Sequence, residues 1–226
     1  MNFLSIFDVI GPNMIGPSSS HTAGAVAIGL MARKMFPEPI QKVTFTLYGS
    51  FALTYRGHGT DRALLGGILG FSTDDSRIRN SFRHAEMMNV EYEYIVDDKT
   101  VTDHPNTADI QLTGVNGHQL FVRGVSIGGG KIQIVRINNV DVEFTGEYST
   151  LIIQQTDKPG VIAHISNCLS DCNVNIAFMR LFREDKGAKA FTVVESDEAI
   201  PEELLARIRD HKHIQDVMLV STESAH

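Results

Sequence analysis

The sequence predicts an α+β fold arranged as two successive units, and three observations carry that prediction. Residues 20–104 mix helical and strand periodicity. Residues 108–144 settle to a period of two, broken at the turn dipeptides Asn116-Gly117 and Asn138-Asn139. From residue 149 onward the pattern runs strand, helix, strand, strand, helix, strand. A chain of 226 residues, 42% hydrophobic and 21% charged, has ordinary globular composition and suits one large domain or two modest ones.

The elements follow in order. A helix over 20–34 opens with a serine near its N-cap, and Pro37 falls just past its end. "KVTFTLYGS" alternates Val43, Phe45 and Leu47 against threonines, a strand pattern. It exits into "GHGTDRALLGGILG", where Gly59 or Thr60 caps a short helix ending at Gly70. "DDSRIRNSFRHAEMMN" reads as another helix and "VEYEYIV" as a strand. Residues 108–127 pair around Asn116-Gly117, the strongest short hairpin signal, and residues 131–144 pair around Asn138-Asn139. Between the hairpins, "SIGGGK" places three glycines where the backbone turns sharply or is closely approached. The first 145 residues thus form one α+β unit.

"TGEYST" is the seam. Beyond it come strand 149–156, the turn "DKPG", helix 160–172 and strand 174–183. A turn at Lys186-Gly187, strand 188–195, helix 201–211 and strand 214–221 complete the series. This β-α-β-β-α-β order is the split arrangement of ferredoxin-like domains. Pro201 followed by Glu202 and Glu203 suits a helix N-terminus.

Bulk properties narrow the function classes. A formal charge of −7 without a basic stripe does not suit a nucleic-acid partner. No apolar run has the length of a membrane span. The stretch Met1–Ile10 carries Asp8 and no basic residue, unlike a secretory signal, so a cytoplasmic location is expected. The two cysteines, Cys168 and Cys172, fall on one helical face with Val161 and Ile165 and read as small buried residues. A structural zinc or cubane site takes more ligands than that.

Three constellations carry chemistry. "PSSSHT" sets Ser18, Ser19, Ser20 and Thr22 around His21 at a helix entrance, where free N–H groups and the helix dipole attract phosphate or carboxylate. A solvated cap of the helix is the plainer reading of the same residues. "GHGTD" leaves a strand and enters a helix, which places His58 on a loop at a sheet edge, with Asp61 able to orient an imidazole and Thr60 able to cap. Arg62 stands where a dinucleotide fingerprint needs its third glycine. "DKPG" offers N–H groups at Gly160 and Val161 that suit an amino-acid carboxylate, or forms a simple turn. His21, His58, Asp61 and His104 lack a helical ligand spacing, and no metal site is assigned.

Together, "GPSSSHTAG", "YGSFALTYRGHGTD", "HPNT" and "SIGGGK", in this order and followed by a tail with "DKPGVIAHI", resemble the β subunit of bacterial iron–sulfur-dependent L-serine dehydratase. The resemblance covers essentially the whole chain. Residues 1–146 resemble the allosteric substrate-binding domain also present in some phosphoglycerate dehydrogenases, and residues 148–226 resemble an ACT domain, an amino-acid-sensing module. The resemblance implies conversion of L-serine to pyruvate and ammonia without pyridoxal phosphate. A [4Fe–4S] cluster acts on the β-hydroxyl while a base removes the α-proton. The family holds that cluster on cysteines of an α domain, fused or separate. With two cysteines, both in the ACT-like helix, this chain is expected to be the separate β subunit, inactive without an α subunit.

By the same resemblance, His58 is the α-proton base or its close partner, and His21 orients substrate or relays protons. Ser18, Ser19, Ser20, Thr22, Thr60 and Asp61 hold substrate or the subunit interface. Asp157, Gly160 and Asn175 are the expected effector contacts of the ACT domain, and homodimerisation is expected through that domain or the N-terminal one. Two other readings stay open: a purely regulatory serine- or anion-binding module, and a free-standing ACT amino-acid sensor.

Overall fold

The computed structural model describes residues 14–220. The segment Met1–Ile10, with its expected lack of a secretory signal, lies outside the described residues, as does residue 221 at the end of the last expected strand. Backbone contacts divide the chain into two compact units after Asn138. The fold class is α+β, as the sequence predicts.

In the first unit a π-helical turn, Ser19–Ala23, runs into α1 (Gly24–Lys34). Then follow β1 (Ile40–Tyr48), α2 (Gly49–His58) and α3 (Thr60–Ile68). A 3₁₀ turn (Ser76–Asn80), α4 (Ser81–Met87) and β2 (Glu91–Asp97) come next. The unit continues with β3 (Thr107–Gly114), β4 (Gln119–Gly128) and β5 (Lys131–Ile137). The sheet order is β2-β1-β3-β4-β5. β1 and β2 run parallel, joined by the helical excursion, and the other pairs are antiparallel. The predicted inward set Val43, Phe45 and Leu47 is fully buried. α1 lies on β4 and β5, α2 on β1 to β3, and α3 packs along α1.

Two features differ from the sequence reading. The strand was expected to lead directly into "GHGTD", but it stops at Tyr48 and a further helix, α2, intervenes. His58 is therefore the last residue of a helix and not a loop residue at a sheet edge. The two glycines and the aromatic residues of "GSFALTYRGH" hide that helix, since none is a strong helix former. The single helix expected over "DDSRIRNSFRHAEMMN" is split. The Asp75 carboxylate accepts the Arg77 N–H at 2.8 Å and caps a 3₁₀ turn, after which α4 starts afresh at Ser81.

The second unit begins with β6 (Val140–Phe144), beyond the turn residues Asn138-Asn139. β7 (Ser149–Thr156), α5 (Val161–Asp171), β8 (Phe178–Arg183), β9 (Lys189–Ser196), α6 (Glu202–Arg209) and β10 (Ile214–Val220) follow. The last four strands form an antiparallel sheet in the order β10-β7-β9-β8, the expected ferredoxin-like unit. Leu151, Ile153, Val161, Ile165, Leu204 and Val217 form its core. Pro201 takes the N-cap of α6 with Glu202 and Glu203 in the first turn, as read from the sequence. Strand 174–183 starts late, at Phe178. Asn173 adopts φ +54°, and the Val174 N–H closes back on the Leu169 carbonyl at 3.0 Å, so a helix-terminating turn occupies the expected first residues of the strand. No helix among the described residues is long and apolar enough to cross a membrane.

α1 and α3 touch backbone to backbone. A Cβ at Gly29 would stand 2.3 Å from the Leu64 carbonyl oxygen, and one at Gly67 would stand 2.2 Å from that of Val26. Neither backbone atom can swing away. Gly29→Ala or Gly67→Ala should therefore destabilise the chain by about 1–3 kcal/mol from overpacking, which exceeds the ~1 kcal/mol that alanine gains in helix propensity. Gly57→Ala, where a Cβ meets nothing within 4 Å, should be neutral or slightly stabilising. Denaturant midpoints compare the three, and equal midpoints would exclude a close contact between these helices.

Candidate active site

The site begins at the Ser18 cap. Its Oγ accepts the His21 N–H at 3.2 Å, and the widened turn behind it closes through the Ser19 carbonyl onto the Gly24 N–H. π-type turns inside helices recur at functional positions. This one fixes the His21 ring between hydroxyls. Ser50 Oγ lies 2.8 Å from Nε2, and Ser20 and Ser18 Oγ lie 3.0 and 3.3 Å from Nδ1. Hydroxyl groups donate or accept as required, so the ring is served in either tautomer. His21, expected at a helix entrance, is held in a π-helical turn there.

His58 meets it. The ring centroids are 4.8 Å apart and edge to face, and Phe51 also meets His21 edge to face, at 5.4 Å. Thr22 ties the two segments, its hydroxyl donating to the His58 carbonyl at 3.1 Å. Gly59 then ends α2 in the left-handed region, at φ +70°, and hands the chain to α3. The His58 Nδ1 is buried and has no hydrogen-bond partner among the described residues. An unsatisfied buried polar atom costs roughly 1–3 kcal/mol. Such atoms in folded proteins call for an explanation, and catalysis is one. His58 also lines a cavity of about 230 Å³ together with Thr22, Gly59, Arg56, Arg62 and Arg79.

The remaining expected residues are spread unevenly. Ser19 contributes its carbonyl to the turn. Thr60 is fully buried with its hydroxyl unpartnered, and it makes no side-chain cap. Asp61 does not orient an imidazole: its carboxylate accepts the Arg62 N–H at 2.8 Å, and burial pushes its pKa up. Sequence reasoning missed Ser50, which sits in the first turn of α2 and reaches the His21 ring through the tertiary fold. It also missed what "HPNT" does. The Pro105 carbonyl accepts the Ser50 N–H at 2.7 Å, and a Cβ on Gly49 (φ +51°) would stand 2.6 Å from that same oxygen. The motif anchors the start of α2, and through it Ser50.

The second unit carries the other three. Asp157 accepts the Gly187 N–H at 3.0 Å and pairs with Arg183 at 3.4 Å, both of which lower its pKa. Gly160 is the N-cap of α5, at φ +92°. The Val161 N–H, expected to be free, donates to the Lys158 carbonyl at 3.4 Å because the turn closes on itself. Asn175 sits in the turn before β8, its N–H donating to Glu198 at 3.3 Å. Cys168 is buried on α5, as expected, whereas Cys172 is the C-cap of that helix and only half-buried. No group of three or more His, Cys, Asp or Glu side chains among the described residues is arranged to hold a metal ion.

These features define a class: an α+β domain bearing a paired-histidine site at the junction of three helical segments, followed by a ferredoxin-like domain. The family model for the serine dehydratase beta chain matches residues 5–136, and that for the ACT domain matches residues 149–213. The chain belongs to the serine dehydratase beta chain family. It is 40% identical over 221 residues to the probable L-serine dehydratase beta chain of Bacillus subtilis, covering 98% of this chain and 100% of that one. It is 41% identical over 208 residues to the L-serine dehydratase beta chain of Peptoniphilus asaccharolyticus, covering 92% and 94%. A D-3-phosphoglycerate dehydrogenase of Methanocaldococcus jannaschii is 28% identical over 112 residues, half of this chain and 21% of that protein.

Burial, and then the neighbouring His58 charge, hold the His21 pKa below its ordinary 6.5. The unfolded chain therefore takes up this proton more readily than the folded one. The contribution to stability is complete above about pH 6.5 and is lost as pH falls through the folded value. In an NMR titration His21 should titrate below 6.5. His58→Ala should raise its midpoint only part of the way, because burial is the larger cause. A midpoint at or above 6.5 would contradict the packed pair.

Proposed function

We propose that this chain is the β subunit of a two-chain L-serine ammonia-lyase, with residues 1–146 contributing acid–base groups and residues 148–226 serving as the regulatory ACT domain. The observation that carries the reading is the His58 ring, unpartnered at Nδ1, on a cavity wall 4.8 Å from a histidine served by hydroxyls on both ring nitrogens. Family membership supports it.

A cubane takes three or four cysteine thiolates. Here Cys168 and Cys172 share one helix of the second unit, and Cys168 belongs to its core. That donor set does not fit a cluster, and burial raises the Cys168 thiol pKa, which disfavours the thiolate that a metal binds. The [4Fe–4S] group of the reading belongs to the α subunit, where it would act as a Lewis acid on the β-hydroxyl.

What this chain supplies is proton chemistry. Elimination removes the α-proton and the β-hydroxyl of L-serine; the resulting enamine tautomerises and hydrolyses to pyruvate and ammonia. His58 takes the α-proton at Nε2. An imidazole suits the task because its ordinary pKa lies near neutrality. His21 shapes the wall behind His58 and relays protons between Ser20 and Ser50, which sit on its two nitrogens. Thr22 and Ser18 hold these rings in register. Ser19, Thr60 and Asp61 act in this reading through the segments they build.

Anaerobic assembly with the α subunit tests the proposal. The isolated chain should show no cluster absorption and no pyruvate formation, while the assembled wild type turns over L-serine. His58→Ala in the assembly should lose a factor of roughly 10²–10⁴ in turnover with cluster content intact, the usual worth of a positioned base. His21→Ala should lose less. Near-normal turnover by His58→Ala would move the base to the other subunit, and failure to bind any cysteine-rich partner would favour a free-standing sensor.

Self-association belongs to the ACT part. β8 is an edge strand whose Phe178 and Leu181 are exposed, and pairing of such an edge with a second copy removes it from solvent. Light scattering should give a lower oligomeric order for a chain ending before residue 148 than for the full chain. Equal orders would place the interface in the first domain.

A further inference from the structure

We infer that the cavity beside His58 is the seat of the substrate's α-carboxylate, bound by Arg56, Arg62 and Arg79. The inference rests on the lyase reading above and names groups that it leaves out.

The three arginines come from three elements. Arg56 lies in the last turn of α2, Arg62 in the first turn of α3, and Arg79 in the 3₁₀ turn before α4. All three line one cavity of about 230 Å³, just under the ~300–1,000 Å³ of sites for drug-sized ligands and suited to something as small as an amino acid. The chain as a whole is acidic, at −7, and its other arginines largely find carboxylates. Arg77, Arg123, Arg180, Arg183, Arg207 and Arg209 each hold one. Arg56, Arg62 and Arg79 are in no ion pair with any described residue. Asp61 accepts the Arg62 backbone N–H and forms an ion pair with neither guanidinium, although the charges of Arg62 and Arg56 both act on its carboxylate.

Arg56 and Arg62 lie over the Tyr55 and Phe82 rings, at 5.4 and 5.8 Å, and with no carboxylate paired to any of the three, a carboxylate bound in the cavity would meet their positive charge. The planar guanidinium matches a carboxylate through paired N–H donors. Position then connects the cavity to the chemistry. The α-carbon is one bond from the carboxylate carbon, so anchoring the carboxylate on the wall that His58 shares brings the α-proton to that ring. As the proton leaves, negative charge spreads from the α-carbon into the carboxylate, where the same guanidinium groups meet it.

The test uses the assembled two-subunit enzyme. Arg56→Gln, Arg62→Gln and Arg79→Gln are surface changes, checked by matched thermal melts. L-Alanine, which has the carboxylate and no leaving group, is titrated calorimetrically beside L-alaninamide, and L-serine turnover is measured beside L-serinamide. At least two of the variants should weaken L-alanine binding and kcat/KM for L-serine by roughly 10- to 100-fold, the scale of a lost charged hydrogen bond. They should leave L-alaninamide and L-serinamide nearly unchanged, and the matching lysine variants should recover only part of the loss. Binding at an ACT site would be indifferent to these substitutions. If all three variants keep wild-type L-alanine affinity while His58→Ala abolishes turnover, the carboxylate lies elsewhere and the lyase reading stands. If the wild-type assembly binds L-alanine in an arginine-dependent way but never forms pyruvate, the carboxylate seat stands and the lyase reading falls. Wild-type protein that neither binds L-alanine nor turns over overturns both.

Discussion

The backbone contact of α1 with α3 through Gly29 and Gly67 is the constraint on which the first unit depends. It sets how deep α1 sits, and hence where the turn ahead of α1 delivers His21. The same contact locates α3, whose preceding residue, Gly59, follows His58 directly. Thr22 and His58, separated by 36 positions, meet at 3.1 Å only because both helices are held this closely. Nearby, a Cβ on Gly24 would stand 2.0 Å from the Ser126 hydroxyl, so the start of α1 is pressed onto the end of β4 as well. The serine loop and the glycine-rich strand end are thus two sides of one contact.

Electrostatics then shapes what that packing has brought together. Two imidazoles edge to face disfavour a shared positive charge, and burial adds to the effect at His21. Around them stand neutral hydroxyls rather than carboxylates. Asp61, the one acid of the motif, turns to the backbone of Arg62. A carboxylate between the rings would have favoured the imidazolium form and removed the free base. The arrangement favours the neutral ring at His21.

The strands and the ferredoxin-like order were legible in the sequence because period-two alternation and Asn-Gly turns are local signals. So were a serine cap at the head of the first helix and the burial of Cys168. α2 was not, because Gly49, Gly57 and the aromatic residues between them give weak local preference, and the helix is fixed instead by packing on β1 to β3. Missing it moved His58 onto a loop and hid Ser50. The late start of β8 was likewise invisible, since the turn before it rests on a left-handed Asn173. Motif order was enough to name the two histidines. Their partners required three dimensions, because the Ser50 hydroxyl meets His21 Nε2 across 29 positions while the Ser50 N–H is anchored on the distant Pro105 carbonyl.

The second unit shows how a conspicuous motif can be spent on structure. In "DKPG" the Asp157 carboxylate ties the end of β7 to the β8–β9 turn through Gly187 and Arg183, and the Val161 N–H closes its own turn. An amino-acid effector at this loop would have to displace those bonds or use the Gly160 backbone, which takes φ +92° at the head of α5. A helix start of that kind still presents N–H groups and the positive end of a dipole. Recognition here would therefore lean on backbone geometry, while recognition in the first unit leans on side chains converging from three elements. Under the proposed reading the two units would meet a carboxylate by different physical means. Substitutions that silence one should then leave the other intact.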